Sequence, residues 1–172
     1  MANHVNSFIT FENLSEDANN FLNSYTESLG ETLIEDLYSD YDESRNWYID
    51  NVGAKWLNFE EVDEYNVICT SAWSAPISFY EKLYEKLVEL NSPEATLFVS
   101  YEDEMPNFIG AYGLGPDGFE YDEYLDEEDY KDTLGMEPYE DDEFNEEWYE
   151  TQSNWFDRER LYFSESLQEF IE

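Results

Sequence analysis

The sequence predicts an α+β domain: a ferredoxin-like, split βαβ antiparallel sheet with helices on one face, followed by an acidic C-terminal extension that ends in a helix. Three observations carry this. Short runs rich in β-branched and aromatic residues are bounded by polar turns, apolar residues recur at helical spacing between some of those runs, and the two kinds of segment follow in the order βαββαβ with one additional strand. The 172 residues suit one domain. With 41% hydrophobic and 19% aromatic residues, the chain has a core that disordered acidic chains lack.

Val5, Phe8, Ile9 and Phe11 make the first β-favouring run. Ser15 is placed to cap a helix carrying Ala18, Phe21, Leu22, Tyr25 and Leu29. A second periodicity, Leu33, Ile34, Leu37 and Tyr38, begins after Gly30 and predicts a broken or paired helix that ends in the acidic turn 39–43. Residues 55–62 and 66–73 read as a hairpin around Asp63 and Glu64. Ser74 and Pro76 then open the clearest helix, with Ile77, Tyr80, Leu83, Tyr84, Leu87 and Val88 on one stripe. Residues 95–101 and 108–114 read as strands joined through Met105-Pro106-Asn107. Residues 1–116 are thus expected to form the ferredoxin-like domain, and residues 117–172 an acidic, aromatic-rich extension packed on it. Trp155, Phe156, Leu161, Tyr162, Leu167, Phe170 and Ile171 predict that the extension closes with an amphipathic helix.

Charge dominates the composition: 44 acidic residues against 7 basic ones give −37. Solubility of a small domain needs a net charge of about 2 to 8, and self-repulsion beyond that destabilises a compact state. Direct binding to nucleic acid or to an anionic membrane would need basic footprints that Arg45, Lys55, Lys82, Lys86, Lys131, Arg158 and Arg160 are too few to supply. A basic partner is expected instead. The single Cys69 excludes an internal disulfide or a multi-cysteine zinc site, and the lone His4 removes the commonest general base. No cofactor or metal is expected. The run from Asp122 to Asp132 lacks the glycine and the ligand order of a calcium loop. The N-terminus shows no basic leader and no apolar run approaches a membrane span, so the chain is expected to be cytoplasmic. Trp47, Trp56 and Trp73 read as core anchors, Cys69 as a small buried hydrophobe, and Lys55 as a packing stem or half of an internal ion pair.

Four short elements occur in order: Met1-Ala2-Asn3-His4-Val5, then Trp47 to Trp56 containing Asn51-Val52-Gly53-Ala54-Lys55-Trp56, then Ser71-Ala72-Trp73-Ser74-Ala75-Pro76-Ile77, and Ser100-Tyr101-Glu102. Over roughly residues 1–115 the chain resembles the YubB-type ferredoxin-like proteins of phages and plasmids. The resemblance implies the ferredoxin-like fold and a phage or mobile-element origin. It implies no established activity and no catalytic residue.

Residues 117–150 concentrate the charge, with Lys131 as the one base, and interleave it with Phe119, Tyr121, Tyr124, Leu125, Tyr130, Leu134, Trp148 and Tyr149. A purely solvated tail needs no such aromatics, so the segment is expected to dock on the domain. Asp122, Glu123, Asp126, Glu127, Asp129, Glu140, Glu143, Glu147 and Glu150 are the candidate partner-binding residues. If 140–150 is helical, Glu140, Glu143, Glu147 and Glu150 share one face without bases at pairing positions. Duplex DNA carries a negative charge per 1.7 Å of axis, so −37 matches very roughly 60 Å of duplex. The expectation is a non-enzymatic nucleic-acid mimic that inhibits a DNA-binding host defence protein. An acidic interaction or assembly module without mimicry is the alternative, and a solvation shell adapted to salt is a further explanation of the charge.

Overall fold

A computed structural model describes residues 3–138 and 146–172 of the chain. Among these, six strands form one open antiparallel sheet in the order β2-β3-β1-β4-β5-β6. β1 (His4–Glu12) lies centrally because its alternating Val5, Ser7 and Ile9 are buried on one face. Ser15 then accepts a hydrogen bond from the Ala18 amide at 3.1 Å and starts α1 (Glu16–Asn23). α2 (Leu33–Leu37) is a five-residue helix behind Gly30. Gly30 has φ +73° and faces Phe59 and Val62 so closely that a side chain would collide with them.

Ser44 caps α3 (Arg45–Asn51), a helix absent from the sequence expectation, and the Trp47 and Tyr48 rings pack edge-on with Tyr41. The hairpin of β2 (Leu57–Val62) and β3 (Asn66–Ala72) turns at Asp63, whose carboxylate accepts from the Tyr65 and Asn66 amides. α4 (Ile77–Glu89) buries Phe79, Tyr80, Leu83 and Leu87. β4 (Thr96–Asp103) and β5 (Phe108–Gly115) follow.

One core lies between the sheet and α1, α2 and α4, where Val5, Ile9, Val67, Cys69, Leu97, Val99 and Tyr112 meet Ala18, Leu22, Leu33, Tyr80 and Leu83. Ser7 Oγ and the Tyr80 hydroxyl, both buried, are bonded to each other at 2.5 Å, so both are satisfied.

The acidic extension does more than dock: it continues the sheet. β6 (Phe119–Asp126) pairs along β5 from Gly115↔Phe119 to Phe108↔Asp126. Its Phe119, Tyr121, Glu123 and Leu125 share the face opposite α4. α5 (Glu127–Leu134) and α6 (Glu146–Ile171) lie on that second face, α6 over β4, β5 and β6. A second core forms there from Phe98, Ile109, Ala111, Phe119, Leu125, Tyr130, Trp148, Trp155 and Phe163. The helices of the chain therefore occupy both faces, those of residues 1–116 on one and those of the extension on the other. Gly113 lets Phe163 press on the sheet, since a methyl at Gly113 would overlap that ring. No helix among the described residues is long and apolar enough to cross a membrane.

Candidate functional site

The predicted acids are spread over three elements. Asp122 and Glu123 are neighbours in β6 and so point to opposite faces of the sheet. Asp122 lies on the α4 side with Glu120. Partial burial, then repulsion from Glu120, hold its carboxyl above the usual range. Glu123 lies on the α6 side, where partial burial and then the Glu159 and Asp122 charges raise it likewise. Two charges that the sequence placed together therefore serve different surfaces.

Asp126 and Asp129 are engaged in local structure. Asp126 caps α5, accepting from the Glu128 amide at 2.9 Å, while Asp129 accepts from the Asp126 amide at 3.2 Å, completing a capping box. Glu127 and Glu128 are exposed in the first turn of α5, where negative charge complements the helix dipole. Glu147 and Glu150 are exposed on the first turns of α6, which the Trp148 ring anchors edge-on against Tyr130 at 4.9 Å. Glu140 and Glu143 lie outside the described residues.

Two further acids take part that the sequence reading did not single out. Glu159 is buried on α6, accepting from the Tyr121 hydroxyl at 2.5 Å, with Arg158 Nε at 3.5 Å. Glu102 on β4 is bonded to Gln152 of α6, and burial raises its carboxyl despite that bond. Both carboxylates hold α6 to the sheet, and only the fold brings them to it.

The bases are too few to neutralise the acids, 7 against 44. Lys55 Nζ lies 2.7 Å from the Trp73 ring centre, Lys82 lies 5.8 Å from Tyr38, Lys86 5.7 Å from Phe21, and the Arg160 guanidinium 4.6 Å from Phe98. Four of the seven bases thus rest on aromatic rings. Among the described residues, Lys and Arg make ion pairs in Lys82–Glu85 and Arg158–Glu159. Of the two expectations for Lys55, its place on Trp73 fits packing against an aromatic, and no ion pair of Lys55 is seen among the described residues.

Parts of three motif segments, at Asn3 and His4, at Gly53 to Trp56, and at Trp73 and Ser74, converge at one end of the sheet. The Trp73 amide donates to the Asn3 carbonyl, Ser74 Oγ donates to the Gly53 carbonyl at 2.7 Å, and the His4 ring meets Trp56 edge-on at 5.2 Å. Trp73 is not the core anchor that its type suggested: it is 56% exposed, and its backbone is left-handed with φ +73°. Cys69 is fully buried, and burial pushes its thiol up to about 12, so it is held as an inert thiol. Among the described residues no group of three or more His, Cys, Asp or Glu side chains is arranged to hold a metal ion.

No family model, no curated protein and no solved structure matches the chain.

Proposed function

We propose that this chain is an acidic phage or mobile-element protein that occupies the DNA-binding surface of a basic host protein, such as a defence enzyme, and inhibits it. The observation that supports this best is the disposition of the bases: four are held on aromatic rings while the carboxylates of β6, α5 and α6 sit on a packed scaffold. Acids held on a packed scaffold and far outnumbering the bases gain steering and counterion release from a DNA-binding groove without first being ordered. The protein acts in this reading as a binder in the host cytoplasm, without a catalytic step, a cofactor or direct contact with nucleic acid. The order β2-β3-β1-β4, with α1 and α4 on one face, supports reading the first four strands as ferredoxin-like, in keeping with the YubB-type resemblance.

The spacing of charge favours a second reading in part. α6 is about 39 Å long and carries Glu146, Glu147, Glu150, Asp157, Glu159, Glu165 and Glu169, one per about 5 to 6 Å against 1.7 Å for duplex DNA. Mimicry therefore needs β6 and α5 to contribute as well. A partner that reads α6 alone would meet an acidic interaction module. Capture from host lysate, eluted with a salt gradient and challenged with duplex DNA, separates the two. DNA displaces the captured protein if its DNA site is occupied and leaves it bound otherwise.

A further inference from the structure

At the end of the sheet where the motifs meet, Asn3, Trp73, Asp103, Asn107 and Phe108 line a cavity of about 340 Å³. Asp103 closes β4 and is 4% exposed. Its Oδ2 accepts from the Asn107 amide, while its Oδ1 is buried and has no hydrogen-bond partner among the described residues. A buried carboxylate oxygen without a donor is costly, so this oxygen is open to a donor supplied from outside the chain. Beside it Trp73 is more than half exposed in a strained left-handed conformation, a cost that core packing does not explain. The Lys55 ammonium on its ring shows that this indole receives cations.

We propose that this cavity binds one arginine side chain of the basic partner, its guanidinium donating to Asp103 Oδ1 and stacking on Trp73. The site rests on the reading of a basic partner and names the anchor such a partner would insert. A guanidinium is planar, carries donors on its rim and is weakly hydrated, so it suits an aromatic face beside a single free carboxylate oxygen. The volume falls at the lower end of ligand pockets and suits one side chain. Lys55 and its neighbour Arg45 oppose a second cation. Their repulsion acts at the solvent-screened surface, whereas the Asp103 side chain is buried.

The probe is the peptide acetyl-Gly-Arg-Gly-amide, followed through the NMR shifts of the tryptophan indoles, with its citrulline analogue and guanosine as neutral planar comparators. Wild type is expected to bind the arginine peptide with shifts centred on Trp73, and neither comparator. Asp103→Asn keeps an acceptor for Asn107 and removes a buried unpartnered charge, so its melting temperature holds or rises while peptide affinity falls by about tenfold. Trp73→Gly, which suits the positive φ, gives a similar loss, and Glu94→Gln, exposed beside the opposite end of β4, does not. Equal binding by wild type and Asp103→Asn, shifts away from Trp73, or equal binding of citrulline or guanosine would overturn the assignment. Poly-arginine separates the two levels: equal binding to all variants, with no loss of the short peptide at Asp103→Asn, rejects the cavity alone. Failure to bind any of them rejects the basic-partner reading itself.

Discussion

At the scale of single residues, the fold spends hydroxyls on carboxylates. The Tyr112 hydroxyl lies 3.3 Å from Glu81 and 3.1 Å from Glu120, so one proton serves two acids from different elements. Tyr25 donates to Asp36 and Tyr121 to Glu159, and in each case burial first and the bonded carboxylate second raise the phenol. In this way a chain with few bases gives its acids donors, the exposed Asp36, Glu81 and Glu120 as well as the buried Glu159. Where no phenol reaches, burial raises the Glu102 carboxyl, and at the exposed Asp122 and Glu123 partial desolvation and then neighbouring acids raise the carboxyl. The folded chain then keeps those protons to higher pH than the unfolded chain, whose carboxyls titrate near about 4. Their contribution to stability is present at low pH and is lost as pH rises through the raised values. Asp42, lowered by Ser44, acts in the opposite sense but is fully exposed. A melting temperature higher at pH 5 than at pH 7 is therefore expected. An optimum at neutral pH would contradict it.

At the scale of elements, the attachment of α6 decides whether the extension presents fixed charge. Phe163 seats against Gly113 and packs with Phe98, Phe119 and Tyr121, with Phe98 and Phe163 ring centres 5.3 Å apart. Gly113→Ala should push α6 off the sheet and cost about 1–3 kcal/mol in urea unfolding, as overpacking does. It should also speed amide exchange in α6 before the sheet. Unchanged stability would show that Phe163 does not hold the helix. β1, β3, β4 and β5 were legible in the sequence because each pairs an apolar pattern with a turn, and α4 because of its apolar stripe behind Pro76, although Ser74 donates to Gly53 rather than capping the helix. α3 was not, because Trp47 and Tyr48 are partly exposed and give it no buried stripe. β6 was hidden for a different reason. Its period of two, Phe119, Tyr121 and Leu125, is overlaid by Glu120, Asp122, Glu123 and Asp126, a composition tolerated because an edge strand is guarded by charge against further pairing. The candidate acids were legible as a charge density but not as a surface. The parity of β6 separates Asp122 from Glu123, and the capping box commits Asp126 and Asp129. Asp103 gave no signal at all, since its missing donor exists only in the fold.

At the scale of the whole molecule, a charge of −37 on 172 residues makes repulsion a property of the native state. Screening extends over about 10 Å at 0.1 M salt, comparable with the distances between neighbouring elements, so moderate salt or millimolar magnesium should raise the melting temperature. A thermal scan flat with ionic strength would mean that the native acids are already neutralised. The same unscreened field is what a DNA-binding groove would recognise, and its loss should slow association more than it speeds dissociation. The most direct measurement takes the partner captured from lysate and determines its affinity for duplex DNA alone, with the wild-type chain, and with the chain carrying Asp122→Asn, Glu123→Gln, Glu147→Gln and Glu150→Gln. The wild type is expected to lower apparent DNA affinity competitively and the substituted chain to do so less, with the difference shrinking as salt rises. A ternary complex in which DNA binds with undiminished affinity would contradict it.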